Sequence, residues 1–445
     1  MAENDHKLGE NWTDLIDDIV AGKFFDTESG KTVSVPYESI VFQESLDGAE
    51  EALIADLKLG EKIAIVADED TYDALGQRVA AALKNIGIDK TIILKKPHAD
   101  MQTAASLTEE LSAFDSAIAI GSGTINDLVK YVTAQDGRRY CVFATAASMN
   151  GYTSTTASMT LETGLKVSVP AQAPTGFFVD MAVSASAPSY LAASGFADCV
   201  ARSVAQVDWW MSHRLLNTLY RSVPFDIQID DEIELNKCAY LLPTGDIHAT
   251  ARLYRVLTLC GLGIGFIGMS NPGSMAEHQV SHYIDCFAGA AHPGSLHGQQ
   301  VGVTSLTMAR LQQTMLAQDQ PPIMKPTSID FDSMKTRMGS DVAAQCLELL
   351  KKKAFDEKTI DAVNDQLAAI WPELRQEVQR FMIPVTQMEQ LLSDAGAPIS
   401  AAELGLDLDF YKQAVRHGHE MRDRFSFVDI AANAGMLEEL ISAEI

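Results

Sequence analysis

Short apolar runs alternate with helical patterns through the first half of the chain. The strand-like runs lie at Lys62–Asp68, Lys90–Lys96, Ser116–Ile120, Tyr140–Thr145 and Gly176–Asp180. Between the first two runs, apolar residues recur at helical spacing, at Tyr72, Leu75, Val79 and Leu83. Strands that alternate with helices in this way predict βαβ units and a mainly parallel sheet.

The pattern changes near Ala187, after which long helical periodicities replace the β-branched runs. Examples are Tyr190–Leu219, Ile233–Leu242, His248–Met269, Asp341–Lys353 and Asp361–Phe381. We therefore predict an N-terminal extension at residues 1–45, an α/β domain with a mainly parallel sheet at 46–187, and an all-α C-terminal domain at 188–445.

The composition indicates a globular protein with an acidic surface. Of 445 residues, 47% are hydrophobic and 21% are charged, which excludes wholesale disorder. The formal net charge is −26. Such a surface repels phosphate backbones and anionic lipid, so we expect no nucleic-acid partner and no membrane-surface role. An anionic substrate would need a local exception to this field.

Cysteine usage and the N-terminus favour a cytoplasmic protein. The six cysteines form no C-x-x-C pair and are too sparse for a disulfide scaffold, so we expect reduced thiols. Residues 1–12 are polar and acidic, unlike a signal peptide. The most apolar stretch, Leu257–Met269, is shorter than the roughly 20 residues that span a bilayer, and it predicts a buried helix.

A glycine turn follows the third strand-like run. Ser116–Lys130 reads as a strand, then Gly121-Ser122-Gly123, then a helix that we expect to begin at Thr124 or Ile125. Such a turn lets the backbone approach a phosphate at a helix N-terminus, although an ordinary βα turn has the same pattern.

Two further segments lie where open α/β sheets bind ligands, at the ends of strand-like runs. Asp68 ends the first run and suits either a ribose contact or the capping of the next helix together with Thr71. Residues 144–158 are rich in hydroxyl groups and suit either the lining of a polar site or a surface loop.

Histidines cluster in the helical half, where five of the ten lie between His248 and His297. His278 and His282 are four residues apart and share a helix face, and His292 and His297 follow shortly after them. Two imidazoles and one carboxylate, for example Asp198, form a ligand set that leaves a coordination position open. By spacing alone the His278–His282 pair is the default expectation. Any single histidine also suits a core or capping role.

Taken together, six motifs resemble those of the bacterial glycerol-1-phosphate dehydrogenase family. That family belongs to the metal-dependent polyol dehydrogenases, whose fold is dehydroquinate-synthase-like. The resemblance spans roughly residues 45–445 and rests on the order and spacing of Ala67–Tyr72, Gly121–Lys130, Thr145–Ser154, Gly195–Asp208, Glu277–His282 with His297-Gly298, and Arg422–Gly435.

The resemblance implies roles for individual residues. Residues 46–187 would be the dinucleotide-binding domain and residues 188–445 the metal- and substrate-binding domain. The cofactor, NAD or NADP, would contact Asp68 at the ribose, and its pyrophosphate and nicotinamide would lie against Gly121, Gly123, Thr124, Ile125, Asn126, Asp127, Thr145, Ser148 and Ser154. One divalent metal, which we expect to be zinc, nickel or iron, would be held by Asp198, His278 and His297. His282 and Asn150 would serve the substrate as catalytic residues, and Lys166 is a further candidate contact.

The chain departs from the family pattern in its substrate region. Asn150 stands where the family usually has aspartate, and Asn271 stands where it tends to have arginine. The expected reaction is the reversible reduction of dihydroxyacetone phosphate to sn-glycerol 1-phosphate, by a homodimer or larger homo-oligomer. The alternatives are a dehydrogenase of the same fold for another polyol or ketone, a lyase of the dehydroquinate-synthase type, and a non-catalytic nucleotide-binding relative.

Overall fold

The computed structural model describes residues 8–9, 11–85 and 88–445, which divide into two compact units. The first unit comprises the described residues up to 162, with 166–196 and 222–269. The second comprises 163–165, 197–221 and 270–445. This division follows contacts rather than chain order. The predicted boundaries after residues 45 and 187 differ from it and stay predictions of chain organisation.

A six-stranded, fully parallel sheet forms the centre of the first unit. Its strand order is β3-β10-β7-β6-β4-β5, while β1–β2 and β8–β9 form two small antiparallel hairpins. The strands are β1 (Phe25–Asp26), β2 (Lys31–Thr32), β3 (Ser39–Gln43), β4 (Ile63–Asp68), β5 (Ile88–Leu94), β6 (Ser116–Gly121), β7 (Arg139–Ala144), β8 (Thr156–Thr160), β9 (Lys166–Pro170) and β10 (Gly176–Asp180).

The five predicted strands are confirmed to within two residues at each end. Four of them, β4, β6, β7 and β10, form continuous apolar runs in the sequence. They do so because they are buried almost throughout, as is usual for parallel strands covered on both faces. The pattern missed β3, which lies at the sheet edge inside the predicted extension. Its side chains alternate between partly and fully buried, so it lacks a continuous apolar run.

The first unit also contains helices. They are α1 (Asp14–Val20), α2 (Glu50–Leu57), α3 (Glu69–Thr71), α4 (Gln77–Ala82), α5 (Met101–Leu111), α6 (Gly123–Asp136), α7 (Met181–Ser186), α8 (Ser189–Leu216), α9 (Val223–Asp226), α10 (Ile229–Lys237) and α11 (Ile247–Ile267). A π-helical turn, Tyr72–Gly76, joins α3 to α4, and α8 continues into the second unit. By length and composition α11 is apolar enough to cross a bilayer, but 72% of its most apolar window is buried, as in a core helix.

The second unit contains no β-strand within its described residues, as the all-α prediction requires. Besides the C-terminal part of α8, its helices are α12 (Ala276–Phe287), α13 (His297–Leu316), α14 (Phe331–Met338), α15 (Ser340–Lys351), α16 (Ile360–Val378), α17 (Val385–Asp394), α18 (Leu408–His417), α19 (Phe427–Ala434) and α20 (Leu437–Glu444). Helix α13 lies at the centre of this unit, and Val301, Leu306 and Leu311 on it are almost completely buried.

Candidate metal and cofactor sites

The glycine turn lies at the carboxyl edge of the parallel sheet. Asp68, Gly121 and Ala144 end β4, β6 and β7, which are neighbours in the sheet, so the three segments that follow these strands begin at one edge. Helix α6 begins at Gly123, one residue earlier than the earliest predicted start. A side chain at Gly121 would put its Cβ 2.7 Å from the Cβ of Ile125, which explains why glycine occupies this position.

At the first turn of α6, a ligand would meet backbone N–H groups rather than side chains. Ile125, Asn126 and Asp127 are buried, and the Asp127 carboxylate accepts a hydrogen bond from the Ser158 amide at 3.2 Å. The Asn126 amide already donates to the Ser122 carbonyl, at 3.1 Å. The amides at the start of a helix have no partner within it, so an anion here would meet the N–H groups of Gly123, Thr124 and Ile125.

Asp68 caps the helix that follows β4. Its Oδ1 accepts from the Thr71 amide at 2.8 Å, and the Thr71 hydroxyl accepts from the Asp68 amide at 3.0 Å. The capping interpretation is therefore present in the structure. A ribose contact stays a prediction and would use the other carboxylate oxygen.

The hydroxyl-rich segment is a buried loop rather than a surface loop. Thr145, Ser148 and Ser154 are all less than a tenth exposed. The Thr145 amide donates to the Gly121 carbonyl at 3.2 Å, which ties the loop to the glycine turn. Asn150 precedes a short 3-10 turn at Gly151–Thr153, and Lys166 begins the hairpin strand β9.

Lys130 connects this loop to α6, a role that the sequence did not reveal. Its side chain is fully buried, and its Nζ donates to the Gly151 carbonyl at 2.5 Å, the Thr156 carbonyl at 3.1 Å and the Ser154 hydroxyl at 3.3 Å. Burial lowers the pKa of Lys130 to about 8, and the carboxylate of Asp127, 3.9 Å away, opposes this shift. Its place at the end of the motif Gly121–Lys130 was the only sequence signal.

In the second unit, three helices bring together Asp198, His278 and His297. Each offers one ligand atom, and these atoms lie within 4.8 Å of one another. Asp198 comes from α8, His278 from α12, and His297 is the first residue of α13. The grouping is the set that the resemblance implied. His282, the other member of the i/i+4 pair, is not part of it.

Buried neighbours orient both imidazoles of the group. The Nδ1 of His278 lies 2.8 Å from the carboxylate of Glu277, which is fully buried, so the proton of a neutral ring sits on Nδ1 and Nε2 is left to coordinate. The Ser281 hydroxyl donates to Gln300 at 2.9 Å and lies 3.3 Å from Nδ1 of His297, whose Nδ1–H it accepts. These contacts favour a proton on Nδ1 of each neutral ring, which leaves Nε2 of each for a metal.

His282 has a different kind of partner. Its Nδ1 lies 3.0 Å from Nη2 of Arg422, and a guanidinium only donates, so Nδ1 accepts. A neutral His282 therefore carries its proton on Nε2. Its ring centre is 5.8 Å from that of His297 and 6.4 Å from that of His278, so the three rings form one cluster.

Glu277, Arg422 and Arg424 lie inside the motifs named above, but no sequence pattern indicated a role for them. Glu277 directly precedes a ligand candidate, which is the one sequence signal for an orienting carboxylate. Arg422 lies 140 residues after its partner His282, and Arg424 lies 150 residues after its partner Ser274, so only the fold brings them close.

Several known proteins are similar to this chain in sequence or in fold. A family model described as "Iron-containing alcohol dehydrogenase" matches residues 41–188. The glycerol-1-phosphate dehydrogenase (NAD(P)+) of Bacillus velezensis is 27% identical over 421 residues, covering 91% of this chain and 94% of that protein. The enzyme of the same name from Methanoculleus marisnigri is 30% identical, covering 64% of this chain and 77% of that protein.

A solved structure shows the same fold. It is a probable glycerol dehydrogenase from Sinorhizobium meliloti, with a TM-score of 0.59 and 16% identity, and the match covers 92% of this chain and 97% of that one. The predicted fold class, an α/β domain followed by an all-α domain of the dehydroquinate-synthase-like type, is confirmed. The chain belongs to the glycerol-1-phosphate dehydrogenase family.

Proposed function

We propose that this protein is a metal-dependent, NAD(P)H-linked oxidoreductase that reversibly reduces dihydroxyacetone phosphate to sn-glycerol 1-phosphate. The observation that carries the proposal is the buried group Asp198, His278 and His297, found in a member of this enzyme family. The group offers one carboxylate and two oriented imidazoles, the donor set of an open catalytic metal site.

These three residues would hold the metal. Their donor atoms suit zinc, nickel and ferrous iron alike, so the donor set does not select among the three. When bound, the metal would act as a Lewis acid on the ketone oxygen, and the reduced nicotinamide would supply the hydride. Glu277 would keep His278 in its coordinating tautomer and make the ligand more basic.

His282 would guide the proton to the oxygen that gains negative charge during reduction. Arg422 donates to its Nδ1, so Nε2 of the neutral ring would donate a hydrogen bond toward that oxygen, and a water linked to the ring would bring the proton from solvent. A ring held by a buried neighbour keeps this orientation without being reordered for each reaction. Asp198 counts as catalytic only through the metal it would hold.

The first unit would bind NAD or NADP at the carboxyl edge of its sheet. The glycine turn would hold the pyrophosphate through the backbone of Gly121, Gly123, Thr124 and Ile125, with Asn126 and Asp127 shaping the turn from inside the unit. Asp68 would contact the ribose, and Thr145, Ser148 and Ser154 would line the nicotinamide region. The support is the burial of this loop and its bond to the glycine turn.

The main alternative substrate is an unphosphorylated or larger polyol or ketone. Asn150 and Asn271 favour it, because each replaces a charged residue of the family pattern. Asn150 and Lys166 stay candidate substrate contacts. A lyase and a non-catalytic relative are further alternatives, and a cytoplasmic location and homo-oligomeric assembly also stay predictions.

The direct test follows NADH oxidation by absorbance. Protein stripped of metal is reloaded separately with zinc, nickel or ferrous iron and given dihydroxyacetone phosphate, with dihydroxyacetone as the unphosphorylated control. We expect turnover that needs both the metal and the phosphate. Metal and NAD binding without turnover of either ketone would overturn the proposed substrate and leave the fold and the donor set in place.

Two matched histidine variants test the division of roles. His278→Ala should remove bound metal and lower turnover on the order of 10³-fold, the rate equivalent of several kcal/mol of Lewis-acid stabilisation. His282→Ala should keep the metal and lower turnover by about 10²–10⁴-fold, as expected for loss of a general acid. Metal content is measured directly on both proteins. Loss of metal from His282→Ala would contradict the ligand assignment.

A further inference from the structure

Two arginines lie beside the histidine cluster without a carboxylate partner. Within the described part of the chain, neither Arg422 nor Arg424 forms a salt bridge, although acidic residues outnumber basic ones by 60 to 34. Arg422 donates to His282, while Arg424 donates to the Ser274 carbonyl and, at 2.7 Å, to the Ser270 hydroxyl. A guanidinium has five N–H donors, so both have capacity for a further acceptor.

Within the described residues, no salt bridge neutralises this pair. Burial lowers the pKa of Arg424 to about 9, and the neighbouring charge of Arg422 acts in the same direction, while the carboxylates of Glu277 and Asp423 oppose the shift. Burial also lowers the pKa of Arg422, and the charge of Asp423 opposes that shift. Both residues nevertheless keep part of their surface exposed to solvent. This is the local exception that a strongly acidic protein needs if its substrate is an anion.

Arg424 also lies beside the segment in which this chain departs from the pattern that the motif resemblance implies. Its hydrogen bond to the Ser270 hydroxyl joins it to Ser270-Asn271-Pro272. The resemblance implies a cation at position 271, and Arg424 supplies a guanidinium next to this segment.

A buried network fixes the backbone that carries the two arginines. Lys353 donates to the Arg424 carbonyl at 3.2 Å and to the His419 carbonyl at 2.7 Å, and it pairs with Asp429 at 2.6 Å. Gln279 donates to the same Arg424 carbonyl at 3.4 Å. Because the loop is held before any ligand arrives, ordering it costs little when an anion binds.

We propose that Arg422 and Arg424 form the subsite that binds the phosphate group of the ketone substrate. This inference rests on the proposed function, and it adds to it a specific pair of residues for the phosphate group. Guanidinium groups recognise phosphate through paired, charge-assisted hydrogen bonds. Arg422 has a second task, because it also positions His282.

Two measurements test the pair. Inorganic phosphate is titrated calorimetrically into the metal-loaded and the metal-free full-length protein, and Arg422→Gln and Arg424→Gln should each weaken arginine-dependent binding by about tenfold or more. Phosphate bound to the metal would disappear with the metal, and phosphate bound at the glycine turn would ignore both substitutions. In kinetics, Arg424→Gln should lower kcat/KM for dihydroxyacetone phosphate by about tenfold or more and leave dihydroxyacetone within about threefold. Arg422→Gln is judged by the titration, because losing the bond to His282 lowers turnover of both ketones.

Controls separate binding from folding and from the proposed function. Arg424→Lys keeps the charge and should retain more phosphate affinity than Arg424→Gln, while thermal unfolding checks that each variant folds. Arg416→Gln removes an arginine that pairs with Glu438 elsewhere in the same unit and should change nothing. Equal phosphate binding by wild type and both variants, or an equal fall for both ketones in Arg424→Gln, would overturn the proposal. If the wild type reduces neither ketone, the proposed function is wrong. The phosphate titration still tests whether Arg422 and Arg424 bind an anion.

Discussion

Each unit holds a loop of its candidate site with a buried lysine, but the two lysines have different partners. Lys130 in the first unit donates to two carbonyls and one hydroxyl of the loop at 151–156, and its nearest carboxylate oxygen is 3.9 Å away. Lys353 in the second unit pairs with the buried Asp429 at 2.6 Å and donates to two carbonyls. One ammonium is thus held by dipoles and the other by a full charge.

The difference matches what each site would bind. The cofactor site would present backbone N–H groups and hydroxyls to an anion, and strong fixed charges are absent from its described loop. The candidate metal site lies in a helical unit that buries Asp198, Glu277 and Asp429, and Lys353 pairs with Asp429 there. We call the loop at 151–156, which Lys130 holds, the dipole-held loop. The loop that Lys353 and Asp429 hold is the charge-held loop. The two loops should respond differently to mutation and to acid.

The largest expected effect is the loss of the charge pair. Lys353→Met leaves Asp429 buried without its cation, which should lower the free energy of unfolding by about 3–5 kcal/mol. Lys352→Met is the matched control, because its exposed pair with Asp423 at 3.3 Å should contribute about 0–1 kcal/mol. Urea unfolding measures both. A loss below about 1 kcal/mol for Lys353→Met would mean that the two lysines do not differ as described.

The second-largest expected effect is a loss of stability of the charge-held loop in acid. Burial alone would raise the pKa of Asp429, but the charge of Lys353 and the hydrogen bond from His419 lower it from 3.8 to about 2. A carboxylate with a lowered folded pKa stabilises above its unfolded pKa, and this stability is lost as pH falls from about 4 to about 2. The contribution is about 2 kcal/mol. Unfolding of wild type and Asp429→Asn across this range measures it, and an unchanged pH dependence in Asp429→Asn would contradict it.

The dipole-held loop should respond less in stability and more in cofactor binding. Lys130→Met removes a charge that is costly to bury, but it also removes the donor that three acceptors of the loop share. We expect a loss of about 1–3 kcal/mol in unfolding free energy and about tenfold weaker NADH binding, with metal content unchanged. Fluorescence titration with NADH measures the affinity. Lys90→Met, whose exposed partner is Glu110, is the control, and equal NADH affinity in both variants would contradict the role of Lys130.

The last comparison concerns two glycines on one helix, α11, and includes the smallest expected effect. A Cβ at Gly261 would lie 2.2 Å from the Thr153 hydroxyl and 2.7 Å from the Asn150 carbonyl, while nothing lies within 4 Å at Gly265. Gly261→Ala should therefore cost about 1–3 kcal/mol and disturb the cofactor loop. Gly265→Ala should stabilise by about 0.5–1 kcal/mol, because alanine favours the helix. Thermal unfolding ranks the two, and the reverse order would show that the loop does not pack closely on α11.

Much of the fold was predictable because burial leaves a local pattern. Strands β4, β6, β7 and β10 are buried on both faces and read as continuous apolar runs, so the pattern found them. Edge strand β3 and the hairpin β8–β9 are only half buried and left no comparable run. The assignment of residues 222–269 to the first unit was equally invisible, since it depends on which helices pack together.

By itself, the sequence determined the order of the elements, the glycine turn and the residue types of a metal site, because periodicity and local chemistry are written along the chain. It left open whether His282 or His297 joins His278, and only the motif resemblance chose between them. The tertiary structure decided the partners: it placed Arg422 on His282, Arg424 on Ser270 and Lys130 under the loop at 151–156. These contacts join residues that lie 21 to 154 positions apart in the chain. A local sequence pattern does not show them, because they form only when distant segments pack together.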